Sequence, residues 1–174
     1  MGKNCIIRKP MVLKNCANAY FGNRVSIRQG ARIEIIYDNA DRVPELRIGD
    51  NVNIEQNVHI ICHSRVLIGS NVSITGHCAI VDVTHPYQGS NDTEKIGDRI
   101  LDEDSFVEIG DGSFLGFGCI IFPNVKIGKM AVIGALSVVT RDVPDYGIVA
   151  GNPAKLLKVY SEQRLPDFRD PFSV

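Results

Sequence analysis

Aliphatic residues recur every six positions from Ile109 to Val139, through Leu115, Ile121, Ile127 and Ile133. The fourth residue after each is small or slim: Ser113, Cys119, Val125, Ala131, Ser137 and Val143. The same register runs through Phe21, Ile27 and Ile33, then Ile48, Ile54 and Ile60, then Ile68, Ile74 and Ile80. A period of six fits neither an amphipathic helix nor a simple hairpin ladder. It predicts a chain that turns a corner every six residues, so that three faces close a triangular coil with the aliphatic residues pointing inward. About five such coils, stacked as parallel strands at ~4.8 Å spacing, give an all-β prism roughly 24 Å tall. The coils are expected over about residues 12–143 of a single domain. Asn or Gly near the turns, as in Gly49-Asp50-Asn51, Gly69-Ser70-Asn71 and Gly110-Asp111-Gly112, suits corners that need positive φ.

The repeat breaks in three places before its end. Tyr37 to Leu46 reads as a short polar excursion, Ser64-Arg65 as a small corner extension, and about Asp82 to Phe106 as a long projecting loop that begins Val83-Thr84-His85-Pro86-Tyr87. Insertions in a solenoid project from the coil, and a loop of this length in a compact domain is usually functional. After Val143 comes a C-terminal extension, about 144–174, in which Ser161 to Val174 has room for a short helix before Pro166.

Composition narrows the function. With 19 Lys+Arg against 20 Asp+Glu the formal net charge is −1, which gives no overall field to attract nucleic acid or an anionic membrane, so the expected partner is a small molecule. No apolar stretch approaches the ~20 residues that cross a bilayer, so no membrane insertion is expected and the location read from the sequence is cytoplasmic. Five cysteines without C-x-x-C pairs read as free thiols, with Cys78 and Cys119 as packing residues.

Repeated in this way, I-G-x-x-x-x resembles the hexapeptide-repeat acyltransferases, above all those that O-acetylate sugars, maltose and polysaccharides. The resemblance covers roughly Phe21 to Val159 and implies a left-handed parallel β-helix; the general rule for parallel crossovers would give a right-handed one. It also implies acetyl-coenzyme A as acyl donor, a sugar or glycan hydroxyl as acceptor, and a homotrimer with sites between subunits.

Acetyl transfer from a thioester to an alcohol needs a base, donors for the oxyanion and a groove for the thiol arm. His85 stands at a loop root with its backbone restrained by Pro86. His85-Pro86 resembles the x-H-P element in which the family's histidine is the general base. Glu55 and Asp82 are candidates to orient it; Glu55 falls where several family members carry an acceptor-binding asparagine. By resemblance the Phe117 N–H meets the oxyanion. Phe114 and Gly116 line the site wall, and Ala135, Thr140 and Arg141 match channel positions. Ala150-Gly151-Asn152-Pro153-Ala154-Lys155 resembles the G-x-P-A-[KR] closure that borders the coenzyme A channel, giving Asn152, Pro153 and Lys155 as cofactor contacts. Lys126, Lys129, Arg141, Lys155 and Lys158 would suit its phosphates. Asn57, His77, Asp82 and Tyr87 are the candidate acceptor contacts, with specificity expected from Tyr87 to Ser105 and Asp38 to Pro44.

His59, His63 and His77 raise a rival zinc reading, since carbonic anhydrases of the gamma class share the fold. The register stacks His77 on Asn57 and His59 on Ala79, so no two histidines superpose and no metal is expected; the three read as surface or cleft-lining residues. A non-catalytic β-helix scaffold and an amine or other non-sugar acceptor are the further alternatives.

Overall fold

The computed structural model describes residues 1–37, 43–88 and 94–161. The chain winds a left-handed parallel β-helix whose strands fall on three faces. The first face carries Ile6–Ile7, Ser26–Ile27, Asn53–Ile54, Ser73–Ile74, Phe114–Leu115, Val132–Ile133 and Gly147–Gly151, all parallel, then Ala154–Val159 antiparallel to its neighbour. The second carries Val12–Lys14, Arg32–Ile35, His59–Cys62, Ala79–Val81, Ile120–Ile121 and Val138–Val139. The third carries Tyr20–Phe21, Glu45–Ile48, Arg65–Ile68, Phe106–Ile109 and Val125–Ile127. The described residues include no α-helix, only two single-turn 3-10 segments.

The inward columns are those the repeat names. Ile27, Ile54, Ile74, Leu115, Ile133 and Val149 stack on the first face, each 4% exposed or less. Burying a side chain of this size contributes roughly 1.5–3 kcal/mol, and no coil could bury its own without the next. The ladder begins at Ile6–Ile7, ahead of the expected start near residue 12, because Ile7 and Leu13 stack on Ile27 and Ile33. At the other end Gly147–Gly151 extends the first face beyond Val143, and the strand from Ala154 folds back along it. The expected tail helix lies outside the described residues, as do Asp38, Asn39, Ala40 and Asp41 of the first excursion.

Corners work in two ways. At the corners between the third and first faces, positive φ falls on one residue each, including Asn51, Asn71 and Gly112, and likewise between the first and second faces on Asn57, His77, Gly118 and Leu136. Gly49, Gly69 and Gly110 serve a different end. They lack positive φ, and a Cβ on Gly69 would come within 2.8 Å of the Asp111 backbone nitrogen, so these glycines are required by the close approach of neighbouring coils.

All three excursions leave the prism at the same edge, the corner from the second face to the third. Asp82 holds that edge. It is fully buried, and its carboxylate accepts from the N–H groups of His63 (2.6 Å), Ser64 (2.8 Å) and Arg65 (2.7 Å), closing the corner extension of the coil below. Burial pushes its carboxyl above the ordinary range while the three donors pull against that shift.

Candidate active site

Two groups of side chains bracket the second face. The first lines the corner from the first face to the second. Asn57, His77, Gly118 and Leu136 occupy successive left-handed positions there, and Asn57 Nδ2 donates to His77 Nε2 at 3.2 Å. The His77 ring lies 5.0 Å from that of Phe117 at 51°. Glu55, one strand position before this corner, pairs with Arg28 at 3.7 Å. Phe117 accepts from the Leu136 N–H at 2.8 Å and Gly118 donates to Gly76 at 3.0 Å, so Phe117's own N–H lies outside the ladder.

Above this corner the first face becomes flat. Gly116, Gly134 and Ala150 follow the stacked Leu115, Ile133 and Val149; Gly116 is buried, and a Cβ on it would lie 2.6 Å from the Ala135 nitrogen of the next coil. Phe114 and Phe117 stand beside the strip, 43% and 51% exposed, and Ala135 is exposed next to it. Gly151, with φ 104, pairs with Ala154, so that Asn152 and Pro153 form the tip of a two-residue hairpin over the same corner, and Lys155 faces Ala150 across it. From Glu55 to this tip the column climbs four inter-strand steps, ~19 Å. A narrow strip of small residues, beside exposed aromatics, suits an extended thiol arm.

The second group sits on the far edge of the second face. His85 Nδ1 lies 2.6 Å from the Arg99 carbonyl oxygen. A carbonyl only accepts, so Nδ1 carries a proton, and in the neutral ring Nε2 keeps its lone pair. The loop root is built to hold that carbonyl: Leu101 N–H donates to Thr84 at 3.0 Å, Arg99 N–H to Ile96 at 3.1 Å, and the Arg99 guanidinium pairs with Glu94 at 3.0 Å. Tyr87 is exposed on the same loop. Thr140 and Arg141 lie exposed on this side of the top coil.

Asp82, a candidate partner for His85, is corrected by this geometry: its carboxylate is engaged by the corner below, and the histidine is oriented by a backbone carbonyl. Sequence reading had no signal for that carbonyl, because a main-chain acceptor leaves no trace in side-chain identity. Glu55 pairs with Arg28 on the opposite edge. The five-residue span from His77 to Asp82 corresponds to ~16 Å of strand, so one chain does not bring His85 to Glu55, His77 or Phe117.

The other histidines separate. His63, read as surface or cleft-lining, is 1% exposed, and its backbone N–H donates to Asp82. His59 is half-buried with its pKa held low, first by burial and then by Arg32. Among the described residues no group of three His, Cys, Asp or Glu is placed to hold a metal ion. Cys78 and Cys119 are fully buried, stacked with 3.6 Å between sulfurs. A shallow pocket lined by Tyr20, Val43, Pro44, Glu45 and Arg47 lies on the third face, away from both groups.

No family profile matches the chain. It is 31% identical over 169 residues to WbbJ of Escherichia coli K12, named for an O-acetyl transferase of lipopolysaccharide biosynthesis, with 92% of this chain and 82% of that protein covered. The chain belongs to the hexapeptide-repeat acetyltransferases. A second member of that family, YJL218W of Saccharomyces cerevisiae, named as an acetyltransferase, is 38% identical over 118 residues, or 67% of this chain. The chain spans only 57% of that relative's length. Among solved structures, AntD, an N-acyltransferase from Bacillus cereus in complex with dTDP and 3-hydroxybutyryl-CoA, shares the fold with a TM-score of 0.71 at 21% identity, over 92% of this chain and 82% of its own.

Proposed function

We propose that this chain transfers an acetyl group from acetyl-coenzyme A to a hydroxyl of a sugar or glycan, in surface-polysaccharide assembly, with His85 as general base. The observation that carries the reading is the Nδ1–H of His85 held by the Arg99 carbonyl, which leaves Nε2 ready to accept a proton. The names of the relatives support acetyl transfer and a glycan acceptor, and the coenzyme A ester and dTDP bound by AntD support a thioester donor and a sugar-related acceptor.

Bound along the strip of Gly116, Gly134 and Ala150, the donor would supply an activated carbonyl. His85 Nε2 takes the acceptor's proton as the hydroxyl oxygen attacks that carbonyl. The Phe117 N–H faces the oxygen on which charge develops. When the C–S bond breaks, the proton on His85 passes to the departing thiolate, leaving an acetyl ester, free coenzyme A and the resting tautomer.

Because the base and the strip lie on opposite edges of the second face, the reading requires two chains per site. A homotrimer supplies them: His85, Tyr87, Thr140 and Arg141 of one chain meet Glu55, Asn57, His77, Phe117 and the Asn152-Pro153-Lys155 hairpin of the next. The outward side chains support it. The upper second face presents Val81, Ile120, Phe122 and Val138, whereas the third face carries the ion pairs Arg47–Glu45, Arg65–Glu108 and Lys126–Glu108 and reads as the solvent side. Unpaired thiols at Cys5 and Cys16 accord with the cytoplasm.

The test is coenzyme A release from acetyl-coenzyme A with a panel of sugars and oligosaccharides, alongside serine and amino sugars. Turnover with hydroxyl sugars supports the reading; turnover with amines alone would replace it with N-acetylation.

A further inference from the structure

The near-zero net charge conceals a division along the prism axis. Seven basic residues and no acidic one precede Glu34, which leaves twelve basic residues against all twenty acidic ones in the rest of the chain. Folding gathers the basic residues at one end. Lys3 precedes the first strand, Arg8 and Lys9 form the corner after it, and Lys14 ends the second strand, so the first coil carries positive charge at each of its three corners. Glu34 pairs with Lys14, at 2.6 Å, and with Arg32. Among the described residues no carboxylate lies within ion-pair distance of Lys3, Arg8 or Lys9, all exposed.

Between these corners the same end is apolar. Met1 is 72% exposed, Met11 66%, Ile6 49% and Leu13 41%. Leu13 stacks on Ile33 yet is exposed on the first coil. Exposed apolar groups grouped on one end of a folded domain mark a contact surface. An apolar patch rimmed with lysine and arginine matches an anionic bilayer on both counts: methionine and isoleucine enter the headgroup boundary while the basic rim meets lipid phosphates.

We infer that the N-terminal end of the prism docks peripherally on an anionic lipid surface, with Met1, Ile6, Met11 and Leu13 against the bilayer and Lys3, Arg8, Lys9 and Lys14 around them. This does not depend on the reaction assigned above. It holds the prism upright, with the hairpin of Asn152 and Pro153 at the end away from the membrane.

The experiment is co-sedimentation of the full chain with phosphatidylcholine vesicles, with and without phosphatidylglycerol. Pelleting is expected with the anionic vesicles only, and it weakens as salt shortens the screening length below ~8 Å. Reversing Lys3, Arg8 and Lys9 together to Glu should weaken binding by about a hundredfold or more, at roughly 1 kcal/mol for each basic residue near the surface. Met11→Ser should weaken it further at high salt, where the apolar contact dominates. As a charge-matched control, Lys126→Glu, Lys129→Glu and Lys158→Glu together should pellet like the parent, with thermal melts confirming that each variant is folded. No pelleting on anionic vesicles, an equal loss in the control, or binding to a soluble polyanion or acidic protein without binding to vesicles would each overturn the inference.

Discussion

The imidazole of His85 is fixed by the backbone of Arg99, its Nδ1 2.6 Å from that carbonyl oxygen. A histidine so held has one tautomer available and one nitrogen free. His85→Ala should therefore lower kcat by roughly 10²–10⁴-fold with little change in melting temperature, because the ring is exposed and buries no core surface. In ¹⁵N-labelled protein, the neutral His85 ring should carry its proton on Nδ1 and not on Nε2. An unchanged kcat would remove His85 from the mechanism.

If each site draws on two chains, two different lesions should complement. His85→Ala abolishes the base, and Ala135→Arg fills the strip beside Gly116. Each alone should be inactive. Co-assembled, mixed trimers should recover a measurable fraction of parent activity, since some interfaces unite an intact His85 with an intact Ala135. Absence of recovery in verified mixed trimers would place the whole site within one chain.

Glycines on the coil edges should be intolerant in proportion to the space around them. Gly116→Ala places a Cβ 2.6 Å from the Ala135 nitrogen and should cost about 1–3 kcal/mol, read from denaturant midpoints. At Gly97, in the long loop, an added Cβ meets nothing within 4 Å, so Gly97→Ala should be within about 0.5 kcal/mol of the parent. Equal effects would contradict the close-approach argument.

Glu34 should make acid stability measurable. Its hydrogen bonds from Lys14 and then Arg32 hold the carboxyl below the ordinary range. A depressed carboxyl contributes stability that is present above its unfolded pKa of ~4.3 and lost as pH falls through the lower folded value. Glu34→Gln should therefore reduce the melting temperature near neutrality and lessen the decline below about pH 4. Parallel pH profiles for the two proteins would show that the pair contributes nothing.

The repeat made the architecture legible because each inward aliphatic residue records one strand: Ile54, Ile74 and Leu115 stand on top of one another as their spacing requires. It also placed Asn57 beneath His77. The roles of Gly49, Gly69 and Gly110 were read less well, since both positive φ and close packing select glycine and sequence does not distinguish them. Asp82 looked like chemistry because it lies three residues from His85. Strand alternation and a deep turn send its carboxylate to the coil below instead, a non-local effect invisible in spacing. The partner of His85 was illegible for a different reason, being a peptide carbonyl that any residue at position 99 would supply. The charge on the first coil was legible in the sequence, but a whole-chain sum averaged it away.

Every excursion of this chain leaves by one edge of the prism. Along that seam the number of residues between strands varies from coil to coil, yet the ladder above and below keeps its register. Length can therefore change there without renegotiating the core, while the other two edges, held by stacked backbones at van der Waals distance, admit almost no change. The fold thus has two parts: a frame whose register is fixed by its stacked coils, and a single hem along which chain can be let out or taken in.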